Sequence, residues 1–222
     1  MDRKYIFAIT LSILGLIIGV MDWIGFKPWI GYEIRLHTSN RPQPEPRPGP
    51  QAERRVTLRS RPRMLSKLDV KNMLVKYNFF DKYKNKSGDF ENDFVDNRNA
   101  TVTDRATGLM WQWPGLDDMT YVETRAYIMT YEEAQAYVME LNRNKFAGYS
   151  NWRLPTIEEL MSLMESKEVD GRYIDPVFKF YWHCWSADKY SFELVWYARF
   201  DFGGAYLDGF KDNLPVRVVR FR

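Results

Sequence analysis

The chain opens with an unbroken apolar run and then changes period three times. From Tyr5 to Met21 no charged residue appears. Such a run reaches the lower limit for a helix crossing a hydrocarbon core of about 30 Å. Trp23 and Trp29 follow, where an interfacial aromatic belt belongs. A cleaved signal peptide would show a small-residue pair after the run, and Gly19-Val20-Met21 does not supply one. Residues 1–34 are therefore expected to be a retained single-pass anchor and its flank. Ser12, Gly15 and Gly19 share nearly one face of it, where small residues let helices pack closely in lipid.

Residues 35–63 carry no hydrophobic period. Five of the nine residues from Pro42 to Pro50 are proline, which favours extended polyproline geometry over helix or strand. Arg35, Arg41, Arg47, Arg54, Arg55, Arg59, Arg61 and Arg63 face only Glu45 and Glu53. The stretch reads either as a spacer held extended by like charges, or as a basic strip for anionic lipid headgroups or an acidic partner. No aromatics interleave with the arginines to stack bases, so nucleic acid is not expected.

Helical spacing dominates the first part of residues 64–222. Ser66 to Asp69, Thr130 to Glu133 and Thr156 to Glu159 each read as a capping box. Leu68, Met73, Leu74 and Tyr77 mark the inner face of the first helix. Ala134, Tyr137, Val138 and Leu141 do so for the second, and Ile157, Leu160, Met161 and Met164 for the third. Thr101–Thr103 and Leu109–Trp113 read as strands joined by a turn at 104–108. From Tyr181 onward the period is two. Phe192, Leu194, Trp196, Ala198, Phe200 and Phe202 alternate with more polar positions as one long strand, and Val216–Phe221 forms the last. The pattern predicts an α+β domain.

Composition narrows the chemistry. The net charge of +3 is an average over a basic linker and an acidic domain. Eight Trp, 14 Tyr and 14 Phe promise an aromatic core, to which Trp111, Trp185 and Trp196 are assigned. The single cysteine, Cys184, excludes an intramolecular disulfide or a multi-cysteine zinc site. His183 and Cys184 are neighbours in a strand and so point to opposite faces, which separates a nucleophile from a base. Asp89, Glu91, Asp93, Asp96, Asn97 and Asn99 could offer oxygen ligands to calcium, but the EF-hand spacing is missing. No catalytic residue, metal or cofactor is assigned.

The runs TVTDRATGLMWQW (101–113), YEEAQAYVMELN (131–142), GYSNWRLPTIEELMSLM (148–164), CWSA (184–187) and VRVVRFR (216–222) occur in that order. Together they resemble the Lcl C-terminal domain family of bacteria across nearly all of 64–222. The resemblance implies a C-type-lectin-like fold, with two main helices on a small twisted antiparallel sheet and recognition carried by variable loops. The EPN, QPD and WND triplets of calcium-dependent sugar binding are absent.

The expected function is accordingly a non-catalytic binding or scaffold protein of the bacterial cell membrane. Its domain would be periplasmic or extracellular and docked, as an accessory subunit, on another membrane protein or complex. Exposed aromatics beside charges suit an interface, and Lys189, Tyr190, Tyr206, Asp208, Phe210 and Lys211 are the candidate partner-binding residues. The alternatives are a tethered adhesin for glycans or envelope polymers, and an unrecognised enzyme.

Overall fold

A computed structural model describes residues 55–113, 128–178 and 182–222. Among the described residues the regular structure is three α-helices, two short 3-10 helices and nine short strands. The helices are α1 (Lys67–Lys76), α2 (Tyr131–Arg143) and α3 (Ile157–Ser162). Each opens on its capping box, with the Ser66, Thr130 or Thr156 hydroxyl accepting from the backbone N–H three residues on and the acidic side chain reaching back. This satisfies donors that the first helical turn would otherwise leave unpaired.

The strands form three separate antiparallel sheets. β1 (Phe94–Asp96), β2 (Thr101–Asp104), β3 (Leu109–Gln112) and β9 (Val219–Phe221) lie in that order. β4 (Ile128–Met129) pairs with β8 (Leu214–Pro215). β5 (His183–Lys189), β6 (Leu194–Arg199) and β7 (Gly204–Gly209) form the third sheet.

This corrects the expected architecture. The fold is mostly sheet with few helices, not two main helices on one sheet. α3 ends after six residues, where the Ser162 hydroxyl turns back onto the Glu159 carbonyl at 2.8 Å. The long strand read over 192–202 is β6 alone. At its start the Ser191 hydroxyl accepts from the Glu193 and Leu194 N–H groups. Beyond its end, Gly203 turns the chain at φ 64°, with the Tyr173 ring where a Cβ would sit.

The expectation of a single-pass anchor at the cell membrane is also corrected to the extent that the described residues do not support it. Among the described residues no helix is long and apolar enough to cross a membrane. The longest, α2, has 13 residues and reaches only about 20 Å at 1.5 Å per residue. Residues 5–21, including Ser12, Gly15 and Gly19, lie outside the described residues.

Hydrophobic side chains fill both faces of the central strands. Leu109 and Trp111 of β3, Cys184 of β5, and Trp196 and Ala198 of β6 enter one core with α1 and α3. Met110 of β3, Trp185 and Ala187 of β5, and Val195 and Tyr197 of β6 enter a second core with Tyr131 and Ala134 of α2. Alternation along a strand sends neighbours to opposite sides. A run such as Leu-Met-Trp is thus apolar throughout because both sides are covered. Trp111, Trp185 and Trp196 are all buried there.

Candidate functional site: an apolar groove beside Lys189

One stripe of α2 runs from the edge of the second core, at Tyr131, out to solvent at Met139. Tyr131, Gln135, Val138 and Met139 are spaced i, i+4, i+7 and i+8, which aligns them along one side of a helix. They form one wall of a groove of about 700 Å³. Leu154, Ala187 and Pro62 complete its apolar lining, and Arg153 and Lys189 supply its charges. Met139 is 67% exposed, although it belongs to an otherwise well-patterned helix.

The opposite wall is held by a buried carboxylate. Asp188 is fully buried between Ala187 and Lys189. Its oxygens accept from both Arg59 terminal nitrogens at 2.8 Å, from the Arg63 N–H at 2.7 Å and from the Ile157 N–H at 2.8 Å. Burial works against the Arg59 charge, but hydrogen bonding and attraction to Asp188 outweigh it and raise the pKa. Next to it, the Arg63 carbonyl accepts from the Lys189 N–H at 3.0 Å, and the Lys189 carbonyl accepts from the Leu65 N–H at 2.8 Å. The segment that presents Pro62 is thereby tied to β5. Residues 55–63, whose prolines and arginines read as linker, lie against the domain here, with Leu58 in its core.

The two cations of the groove differ. Arg153 is committed to Glu159 through two bonds of 2.7 and 2.5 Å. The Lys189 ammonium lies 4.9 Å from the Phe210 ring centre and 5.6 Å from that of Tyr131. Among the described residues no carboxylate pairs with it. The Phe210 carbonyl accepts from the Tyr131 N–H, and the two rings meet edge to face at 5.1 Å. Burial, and then the Asp188 charge, raise the Tyr131 pKa, so its hydroxyl stays a neutral donor to the Ala187 carbonyl. The result is an apolar trough with one available positive charge at its rim.

Of the residues proposed from sequence, Lys189 and Phe210 come together at this rim. Tyr190 packs edge-on against Trp196 at 6.2 Å. Tyr206 sits instead between Tyr197, Arg199 and Lys84, with its phenol pushed up to about 12 by burial. Asp208 accepts from the Gly209 N–H, and burial followed by hydrogen bonding to Asp212 raises its pKa. Lys211 is exposed in the turn after β7. The α2 stripe, Arg153, Leu154 and Pro62 were not anticipated. The one signal for them was a methionine on an outward helical position.

Other groups with chemical potential are engaged elsewhere. Cys184 is buried and its thiol is pushed up to about 12 by burial, which leaves it protonated and unreactive. His183, partly exposed at the start of β5, approaches Asp201 at 3.6 Å. Within the acidic stretch, Asp93 pairs with Arg105, Asp96 accepts from the Arg98 N–H and Asp89 accepts from Ser166. Among the described residues no group of three or more His, Cys, Asp or Glu is arranged to hold a metal ion.

Residues 100–220 match the family model of the Lcl C-terminal domain. The chain belongs to that family. No curated protein matches it. The matched span of the Lcl C-terminal domain includes α2, Arg153, Leu154, Ala187, Lys189 and Phe210. Pro62, Arg59 and Arg63 lie before it, so the groove is completed by residues outside the family match.

Proposed function

We propose that this chain is a non-catalytic binding protein whose Lcl C-terminal domain accepts an apolar, carboxylate-bearing peptide segment in the groove that α2 forms with Pro62 and the end of β5. The observation that carries this reading is the unpaired Lys189 ammonium at the rim of an otherwise apolar trough. Its volume lies within the range of about 300–1,000 Å³ typical of ligand sites. None of the residues lining it is acidic, so an occupant with a negative group meets attraction without repulsion. An array of short peptides tests it, pairing aromatic residues with either acidic or basic neighbours and probed with the full chain. Acidic-aromatic peptides should be retained, and Lys189→Glu should weaken retention at least about tenfold, as expected for a contact of about 1.4 kcal/mol or more. Equal retention of both peptide classes, or no change in K189E, would overturn the reading.

Glycan binding is the second reading. It is supported by exposed Phe202 and Trp182, backed by Arg199 at 3.9 Å and Arg172 at 5.0 Å. Aromatic faces of this kind can stack on sugar rings. A glycan array with Phe202→Ala and Trp182→Ala variants separates it from the groove.

A further inference from the structure

The hairpin joining β5 to β6 carries the least expected side chain of the domain. Phe192 is 90% exposed, the most exposed of the large hydrophobic residues described. It is not on a loose loop. The Leu194 carbonyl accepts from the Tyr190 and Ser191 N–H groups at 2.9 and 3.2 Å. The Ser191 hydroxyl accepts from the Glu193 and Leu194 N–H groups at 3.2 Å each. Four hydrogen bonds thus stiffen the four-residue turn that holds Phe192 out in water. Exposing an aromatic ring on a pre-ordered turn gives the monomer nothing, whereas it lowers the entropy cost of inserting that ring into a partner.

The turn and the groove are chemically complementary. Phe192 is followed by Glu193, which is exposed and has no ion-pair partner among the described residues. The groove offers apolar walls and the unpaired Lys189 ammonium. They are also neighbours, because Lys189 lines the groove and is the last residue of β5 before the turn. A projecting group and a receptor carried by adjoining segments of the same chain suit a twofold interface, since each copy then gives and receives the same contact.

We infer that the groove is occupied by the Phe192–Glu193 turn of a second copy of this chain, forming a symmetric dimer with two reciprocal insertions. Phe192 enters between Met139 and Leu154 of the partner copy, and Glu193 pairs with that copy's Lys189. This inference rests on the groove being a peptide-binding site and names the peptide.

Sedimentation of the full chain across the micromolar range tests it. The wild type should reach a dimer and no larger species. Phe192→Ser should raise the dimer dissociation constant at least about tenfold, as for an interface anchor. Glu193→Lys and Lys189→Glu should each weaken association, and the double variant carrying both should recover most of it. A mixed-cysteine experiment reads the contact directly, because buried Cys184 does not compete. Phe192→Cys chains mixed with Met139→Cys chains should give a disulfide-linked dimer under mild air oxidation. A monomeric wild type, an F192S variant that associates as before, or no mixed disulfide would overturn the inference. If acidic-aromatic peptides still bind a monomeric chain through Lys189, the groove reading survives and only the self-docking fails. If neither occurs, both fail.

Discussion

Asp81 and Asp188 are both fully buried, both accept four hydrogen bonds and both meet a cation, yet they hold different kinds of structure. Three of the four donors to Asp81 come from its own turn, the Tyr83 and Lys84 N–H groups and the Lys84 ammonium. Only the Ala205 N–H is distant in sequence. The donors to Asp188 come from Arg59, Arg63 and Ile157, none of them within thirty residues. Asp81 fixes a turn that would still be local without it. Asp188 joins three separated segments, and the groove exists only where those segments meet.

The largest expected effect follows from that difference. Asp188→Ala leaves the largely buried Arg59 guanidinium with only the more distant Glu158, at 3.8 Å, and releases the segment bearing Pro62. Removing one member of a buried, hydrogen-bonded ion pair costs about 3–5 kcal/mol. Urea unfolding should show that loss, and groove binding should go with it. A cost below about 1 kcal/mol, in the range of exposed pairs, would break the comparison. Asp81→Ala should cost less, about 1–3 kcal/mol, because Lys84 is partly exposed and can return to water. Groove binding should survive that substitution. Equal losses of binding in the two variants would mean that the groove depends on global stability rather than on Asp188.

The same distinction separates what was legible in the sequence from what was not. Local chemistry was readable. All three capping boxes form, and β2 and β3 lie where the Thr-Val-Thr and Leu-Met-Trp runs placed them. Alternation misled where it continued through turns. Phe192 and Phe202 keep the period of two but fall outside β6, because Ser191 and Gly203 turn the chain. Arg217 occupies a polar slot in the pattern yet is fully buried, its guanidinium 4.5 Å from the Phe178 ring centre. Asp188 sits in Ser-Ala-Asp-Lys, which looks like a polar strand end. The donors that make it structural are 31 to 129 residues away, and no periodicity carries that information. The groove was illegible for the same reason, since its lining comes from four segments, at Pro62, Tyr131 to Met139, Arg153-Leu154 and Ala187 to Lys189, that only the fold brings together.

The caps offer a finer version of the comparison. Thr130 opens α2 at the surface, whereas the buried Thr156 also donates its hydroxyl to the Arg59 carbonyl at 2.9 Å. Thr130→Ala should cost about 1 kcal/mol and Thr156→Ala about 2, the upper end for a lost N-cap. The excess in T156A should vanish in an Asp188→Ala background, where Arg59 is already released. If the two threonines cost the same, the Asp188 network does not extend to the start of α3.

The smallest effect tests whether β5 can be weakened without opening the groove. His183 stands at the start of the strand whose far end carries Asp188 and Lys189. Burial lowers its pKa below 6.5, the pull of Asp201 is insufficient to reverse this, and the nearby Arg199 charge adds to the lowering. The unfolded chain therefore binds the His183 proton more readily than the folded one. Where the unfolded state holds more protons, stability rises with pH. That stability is fully present above the unfolded value of 6.5 and is lost as pH falls below it towards the folded value. Unfolding midpoints should decline from pH 7.5 to pH 5.5, and His183→Gln should remove part of that slope. Because Asp201 and Arg199 surround the imidazole and the Asp188 donors do not, groove binding should hold constant as His183 takes up its proton. A parallel fall in binding that H183Q abolishes would show that the two ends of β5 are coupled.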